Sequence, residues 1–164
     1  MPETRYHITE NVWHHVSPDL RREIVHFWMA KNALSIQEEA EERAGQVVFI
    51  VRNLVRQIVG LCTVKKMFSE RLNNFIYFYR SMIDPDYQRY GLARDLLMKT
   101  RDFLETRFTQ GIERDSIGIL LTLENEDINA TFRKAICPRT GFVFIGFNRN
   151  GHQVRVYYFK GAEI

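Results

Sequence analysis

Cysteine is scarce in this chain of 164 residues. There are two, Cys62 and Cys137, at no CxxC or other metal-ligand spacing. That excludes a disulfide framework and a cysteine zinc site, and it fits two free thiols in a reducing compartment. No apolar run approaches the length needed to cross a bilayer, so no membrane partner is expected. Met1-Pro2-Glu3 opens on an acid with no apolar core behind it, which argues against a signal peptide and for a cytoplasmic location. Blocks of like charge are missing too. The net charge of +3 is only mildly basic and no aromatic-interleaved Lys/Arg run occurs, so no nucleic-acid partner is expected, although a small anionic ligand would suit it. His14, His15 and His26 cluster near one segment without a carboxylate at metal spacing, and His152 reads as exposed, so no metal is expected. Repeats, low-complexity tracts and linker-like stretches are absent. Residues 1–164 therefore read as one domain with one core.

What is present is an alternation of strand and helix patterns. Arg5–Thr9 is a short candidate edge strand. Ser17-Pro18 starts a helix, with Ser as N-cap and Pro at the first helical position, and Leu20, Ile24, Phe27, Trp28 and Leu34 form its apolar stripe. Ser35-Ile36-Gln37-Glu38 has capping-box spacing and predicts a second helix to about Ala44. Gln46–Arg52, Gln57–Lys65 and Phe75–Ile83 read as three consecutive strands, with Lys65–Asn74 as a charged connection. A helix from Gly91 to Thr106 follows. Ile117–Leu123 is a buried strand, Asn125–Lys134 a short helix, and Phe142–Phe147 and Gln153–Phe159 a hairpin closed by Asn148-Arg149-Asn150-Gly151. A helix crossing between strands four and five makes those two parallel.

The stretch with chemical content is the junction of strand four and the long helix. Asp84-Pro85-Asp86 stops the strand, because Pro cannot donate to a ladder. Gln88-Arg89-Tyr90-Gly91-Leu92-Ala93-Arg94 then opens the helix. A helix start presents unpaired N–H groups and partial positive charge, which suits a phosphate. Gly91 and Ala93 leave room for close approach, and Arg89 and Arg94 add charge. A tight loop whose small residues only permit packing accounts for the same pattern equally well.

Gln88-x-x-Gly91-x-Ala93, placed after a strand and before an apolar helix, resembles the acyl-CoA-binding motif of the GNAT acyltransferase superfamily. Asn125, Phe132, Lys134 and Gly141-Phe142 resemble a second feature of that family, in the same order. The resemblance extends over Gln46–Phe159. It implies an α/β fold: a mixed sheet in the order β-α-α-β-β-β-α-β-α-β-β, with strands four and five parallel and splayed. It also implies acetyl-CoA as co-substrate and an amine acceptor, either a small molecule or a protein amine. The implied cofactor-binding residues are Met82, Ile83, Gln88, Arg89, Tyr90, Gly91, Leu92, Ala93, Arg94, Asn125 and Phe132. Among these, the freed main chain of Met82 and Ile83 would hold the pantetheine arm and polarise the thioester. A homodimer is left open.

The departures concern catalysis. Where many members carry a Tyr whose phenol protonates the leaving thiolate, this chain has Phe132. Where some carry a Glu base, it has Leu120, and Phe75–Ile83 contains no carboxylate. Candidate replacements for the acid are Tyr79, Tyr90, Tyr157, Tyr158 and Cys137, and the candidate base is Glu124 at the end of strand five. Packing or surface exposure explains each more readily than catalysis does. Two functions follow: an N-acetyltransferase acting by direct amine attack, or a weakly active or inactive regulatory module that retains CoA binding.

Overall fold

The computed structural model describes residues 7–34 and 36–164. Among the described residues, seven strands form one sheet in the order β1-β2-β3-β4-β5-β7-β6. They are β1 (Ile8–Asn11), β2 (Val47–Arg52), β3 (Ile58–Ser69), β4 (Asn74–Ile83), β5 (Gly118–Thr122), β6 (Val143–Phe147) and β7 (Gln153–Tyr158). The helices are α1 (Pro18–Ala30), α2 (Gln37–Ala44), α3 (Leu92–Thr109) and α4 (Glu126–Thr131), with a 3-10 turn at Pro85–Tyr90. The mixed α/β architecture expected from the sequence is the one observed. β4 and β5 run parallel, with Tyr77 opposite Ile119 and Phe78 opposite Leu120. That ladder is short: β4 continues to Ile83 and β5 to Thr122 beyond the registered pairs.

The chain forms two compact units. The first comprises residues up to Val64 and Arg80–Thr100. Its core joins Ile24, Phe27 and Trp28 of α1, Ala40 and Ala44 of α2, and Val47, Ile50, Ile58 and Leu61 of the strands. α1 begins as predicted, with the Ser17 side chain accepting from the Leu20 N–H and Pro18 in the first turn. It ends at Ala30, and Leu34 joins the core from beyond the helix. The residue before α2 is Ile36, which makes no side-chain cap; Ser35, on which the expected capping box rests, lies outside the described residues. Among the described residues β1 runs Ile8–Asn11, two residues beyond the expected end at Thr9; Arg5 and Tyr6 of the expected strand lie outside them.

The second unit comprises Lys65–Tyr79 and Arg101–Ile164. Ile76, Leu120, Val154 and Val156 form its centre, with Leu72, Phe78 and Ile145 packed on them. Lys65–Ser69, expected in a connection, continues β3; the reversal is confined to Glu70–Asn73. α3 carries one buried stripe, Leu92, Leu96, Thr100, Leu104 and Phe108, at i, i+4 spacing. α4 is shorter than Asn125–Lys134. It stops before Phe132 because the buried Gln153 side chain donates to the Asn129 and Phe132 carbonyls, at 2.9 and 2.7 Å, replacing donors a longer helix would supply. The β6–β7 turn is as predicted: Asn148 Oδ1 accepts from the Asn150 and His152 N–H groups, and Gly151 has φ +79°.

Gly118 tests the β5–β7 ladder. A Cβ there would lie 2.1 Å from the Tyr157 carbonyl oxygen, a backbone atom that cannot step aside. Gly118→Ala should therefore destabilise by about 1–3 kcal/mol or more, read as a fall of several degrees in Tm. An unchanged Tm would contradict the pairing of Gly118 with Tyr158.

Candidate functional site

The candidate site of the first unit is built on Asp84, the residue after β4. Its N–H donates to the Val59 carbonyl at 2.8 Å, and its carbonyl accepts from Tyr87 N–H at 2.8 Å. Its Oδ1 accepts from Asp86 N–H at 3.0 Å, capping the 3-10 turn, and its Oδ2 meets Lys31 Nζ at 2.7 Å. Burial alone would raise the Asp84 carboxyl. The Lys31 ammonium and the Asp86 N–H outweigh it and hold the group below the ordinary carboxylate value. Gly60 makes room at the strand end, since a Cβ there would fall 2.7 Å from Ile83 Cδ1. Neither Lys31 nor Gly60 could be singled out from sequence, because both reach β4 from distant positions.

The turn delivers the chain to Gly91 at φ +70°, ψ +16°, a left-handed conformation that favours glycine. α3 starts immediately. The Asp95 N–H bonds the Gly91 carbonyl at 3.2 Å, so the N–H groups of Leu92, Ala93 and Arg94 belong to the open first turn. Leu92 is buried, while Ala93 and Arg94 are exposed. A Cβ on Gly91 would meet nothing nearer than Arg94 Nη2 at 3.8 Å, which leaves the backbone approachable beside a guanidinium. This end fits an anionic pyrophosphate. The side chains of Arg89 and Tyr90 lie outside the described residues. Met82 is half-buried against the first core. One expectation needs correction: the Ile83 carbonyl is not free, because Gln88 Nε2 donates to it at 3.4 Å. That contact is long and correspondingly weak.

In the second unit, further candidates lie around α4. Asn125 caps the helix, its Oδ1 accepting from Ile128 N–H at 3.1 Å. Glu124 is exposed and accepts from the Thr122 hydroxyl at 3.4 Å. His152, expected to be exposed, is largely covered and its ring Nε2 lies 2.8 Å from Glu126 Oε1. Asn129 bonds the Gly151 carbonyl and the Gln153 N–H. Phe132 is half-buried beneath the Arg155 guanidinium, 4.5 Å from its ring centre.

The remaining candidates are dispersed. Tyr79 is buried in β4. Burial, then the bond to Glu105 at 2.8 Å, pushes the Tyr157 phenol up to about 12, which makes it a poor proton donor at neutral pH. Tyr158 is exposed. Cys137 sits in a tight extension of β6, where its N–H bonds the Phe142 carbonyl and its carbonyl accepts from Gly141 N–H. Burial opposes its ionisation, but the Thr140 hydroxyl, the Thr140 and Arg139 N–H groups and the Arg155 charge hold the thiol below its ordinary value. Gln153 and Arg155, which organise this part of the second unit, went unremarked in the sequence because they alternate within an ordinary strand.

No protein-family model and no curated protein sequence matches the chain. Its fold is that of the GNAT acetyltransferases. The ribosomal-protein-S18-alanine N-acetyltransferase of Escherichia coli superposes with a TM-score of 0.60 at 15% identity, covering 96% of each chain. NAA60 of Arabidopsis thaliana, in complex with acetyl-CoA, gives 0.61 at 12% identity over 93% of this chain and 99% of its own. The ribosomal-protein-S5-alanine acetyltransferase of Vibrio fischeri gives 0.61 at 14% over 97% and 96%.

Asp84 makes the turn sensitive to acid. Its folded pKa is depressed, so its contribution to stability is present above the unfolded carboxylate value near pH 4 and is lost as pH falls through the folded one. Asp84→Asn should lower the urea midpoint at neutral pH and leave a flatter acid limb. Parallel acid limbs in wild type and variant would remove Asp84 from that role.

Proposed function

We propose that this protein is an acetyl-CoA-dependent N-acetyltransferase that moves an acetyl group to an amine by direct attack. The observation that carries the reading is the junction at Gly91: a left-handed glycine between a capped turn and the open start of an eighteen-residue helix, beside Arg94. The fold it shares with acetyltransferases, one of them bound to acetyl-CoA, supports the reading.

Acetyl-CoA supplies the activated acyl group and a leaving thiol. In this reading the main-chain N–H groups of Gly91, Leu92, Ala93 and Arg94 hold the pyrophosphate, with Gln88, Arg89 and Tyr90 forming the wall of the turn. Main-chain groups of Met82 and Ile83 hold the pantetheine arm and polarise the thioester. The Ile83 carbonyl takes this part by releasing Gln88. Asn125, which starts α4, and Phe132 are further candidates for cofactor binding. None of these roles requires a protein acid or base, and the amine can lose its proton to water. The acceptor is an amine on a small molecule or on a protein. A second reading, a CoA-binding module with little or no activity, is favoured by Phe132, by Leu120 and by the absence of a carboxylate in β4.

Acetyl-CoA should raise the Tm of the wild type, since a ligand that binds only the folded state stabilises it. Gly91→Glu, which sets a carboxylate and a side chain into the left-handed position, should abolish that shift. It should also cost about 1–2 kcal/mol of stability on its own. A full ligand shift in the folded variant would place binding elsewhere. Mass-spectrometric detection of acetylated products across a panel of small amines and peptide N-termini then separates the two readings: binding without product selects the inactive module.

A further inference from the structure

β3 outruns the strand on its outer side. β2 is registered with β3 only as far as Thr63, and the last main-chain bond on that side runs from the Val64 N–H to the Gln46 carbonyl, at 3.1 Å. Lys65–Ser69 continues the strand with β4 along its other side. Among the described residues, no strand or loop offers its main chain to the outer side of this stretch. The edge is apolar as well as open. Met67 is 43% exposed and Phe68 50%, and Phe75 of β4 is 45% exposed. Phe68 and Phe75 meet edge-to-face with ring centres 5.3 Å apart. Lys66 Nζ lies 5.3 Å from the centre of the same Phe75 ring and bonds Asp115 at 2.8 Å. Lys66, Phe68 and Phe75 therefore share one face, and Lys65 and Met67 stand on the other.

An open edge of this kind pairs with another strand unless something blocks it, and the usual block is a lysine. Lys66 does not act as one, because Asp115 and Phe75 draw its ammonium back over its own sheet.

The edge is also complementary to itself. Two copies related by a two-fold axis through the sheet pair antiparallel, and residues opposite each other lie on the same face. Since faces alternate along a strand, the axis must meet a residue that faces its own copy. The Val64 N–H points to the outer side, so the main chain of Lys66 and Phe68 does as well. An axis at Lys65 or Lys66 sets like charges opposite each other, which is unfavourable. An axis at Phe68 or Ser69 needs Glu70, beyond the end of β3, as a strand partner. Met67 meets neither objection. With the axis there, Lys66 of each copy pairs with Phe68 of the other, and each such pair exchanges both main-chain bonds. The Lys66 stem lies against the partner's Phe68, Lys65 faces the partner's Ser69, and the two Met67 side chains meet on the axis.

We propose that the protein forms a two-fold dimer by antiparallel pairing of Lys65–Ser69 with the same segment of a second copy, with Met67 on the axis. The inference goes beyond the acetyl-CoA reading and does not depend on it.

The test is sedimentation equilibrium of the full chain from about 1 to about 300 µM, a range that suits a small interface. The wild type should pass from monomer to dimer and no further. Met67→Lys and Met67→Asp each set like charges opposite each other, with Cα atoms about 4.5 Å apart, and each should raise the dimer Kd about tenfold or more. Met67 is exposed, so both variants should fold, as an unchanged far-ultraviolet circular dichroism spectrum would confirm. An equimolar mixture of the two brings Lys against Asp on the axis and should restore the dimer. Leu54→Asp, at a 69% exposed position in the β2–β3 turn, removes a different exposed apolar side chain and should leave the Kd unchanged. A wild type that stays monomeric over the whole range overturns the proposal, as does a dimer indifferent to both Met67 variants. Two monomeric variants that do not recover on mixing overturn the pairing at Met67, because only a residue facing its own copy gives that rescue.

Discussion

The geometry of the first unit turns on one carboxylate. Asp84 follows a strand, precedes a proline and must start a turn within a residue of both. Four bonds fix it: main chain to Val59 and Tyr87, side chain to Asp86 and Lys31. Each restrains a different direction. The Val59 bond keeps the residue in line with the sheet, the Tyr87 and Asp86 bonds curl the next segment, and Lys31 ties the turn to the end of α1. Pro85 supplies a pre-set φ and removes an N–H that would otherwise compete. The turn so fixed leads into the left-handed step at Gly91 and the start of α3. Because Lys31 is exposed, the pair itself adds little, and Asp84 matters mainly as a cap.

A second polar centre does comparable work around β7. Gln153 and Arg155 are buried on one face of a strand, where apolar residues would ordinarily stand. Gln153 donates to the last carbonyls of α4 and accepts from Arg155. It thereby ends the helix one residue short of Phe132 and turns that residue into extended backbone. Fully satisfied buried networks of this kind specify a single arrangement, since any slip leaves a polar group unpaired in low dielectric. Phe132 is thus held from two sides, its carbonyl by Gln153 and its ring by Arg155.

Most elements were legible because their signals are local. Ser17-Pro18, Asn150-Gly151 and the aromatic run of β4 each declare themselves within a few residues. The parallel pairing of β4 and β5 followed from a helix lying between them. What escaped depends on contacts distant in sequence. The five-residue extension of β3 carries Lys65, Lys66, Met67 and Phe68 all exposed, so it shows no alternation and reads as a connection. Its strand character comes from pairing with β4. The end of α4 was missed because the groups that finish it sit on Gln153, more than twenty residues on. At the candidate site, the loop from Gln88 to Arg94 stands out because a glycine just before a helix start is the local pattern that phosphate binding through backbone would need. Lys31, Gly60 and Arg155 do not, since single residues of those types carry no pattern.

Reliance on backbone also bears on the missing catalytic side chains. An amine attacking a thioester needs its own proton removed, a carbonyl oxygen stabilised and a sulfur released. The first can be met by solvent, the second by a fixed N–H. The third is least demanding when the leaving thiol has a pKa near 8.5, close to neutral pH. A general acid adds most when the leaving group is a strong base, and a thiolate is a weak one. In the proposed acetyl-transfer reading, Phe132 in place of a phenol therefore removes an accelerating group rather than a requirement. Tyr157 cannot substitute, because burial and Glu105 push its phenol up to about 12.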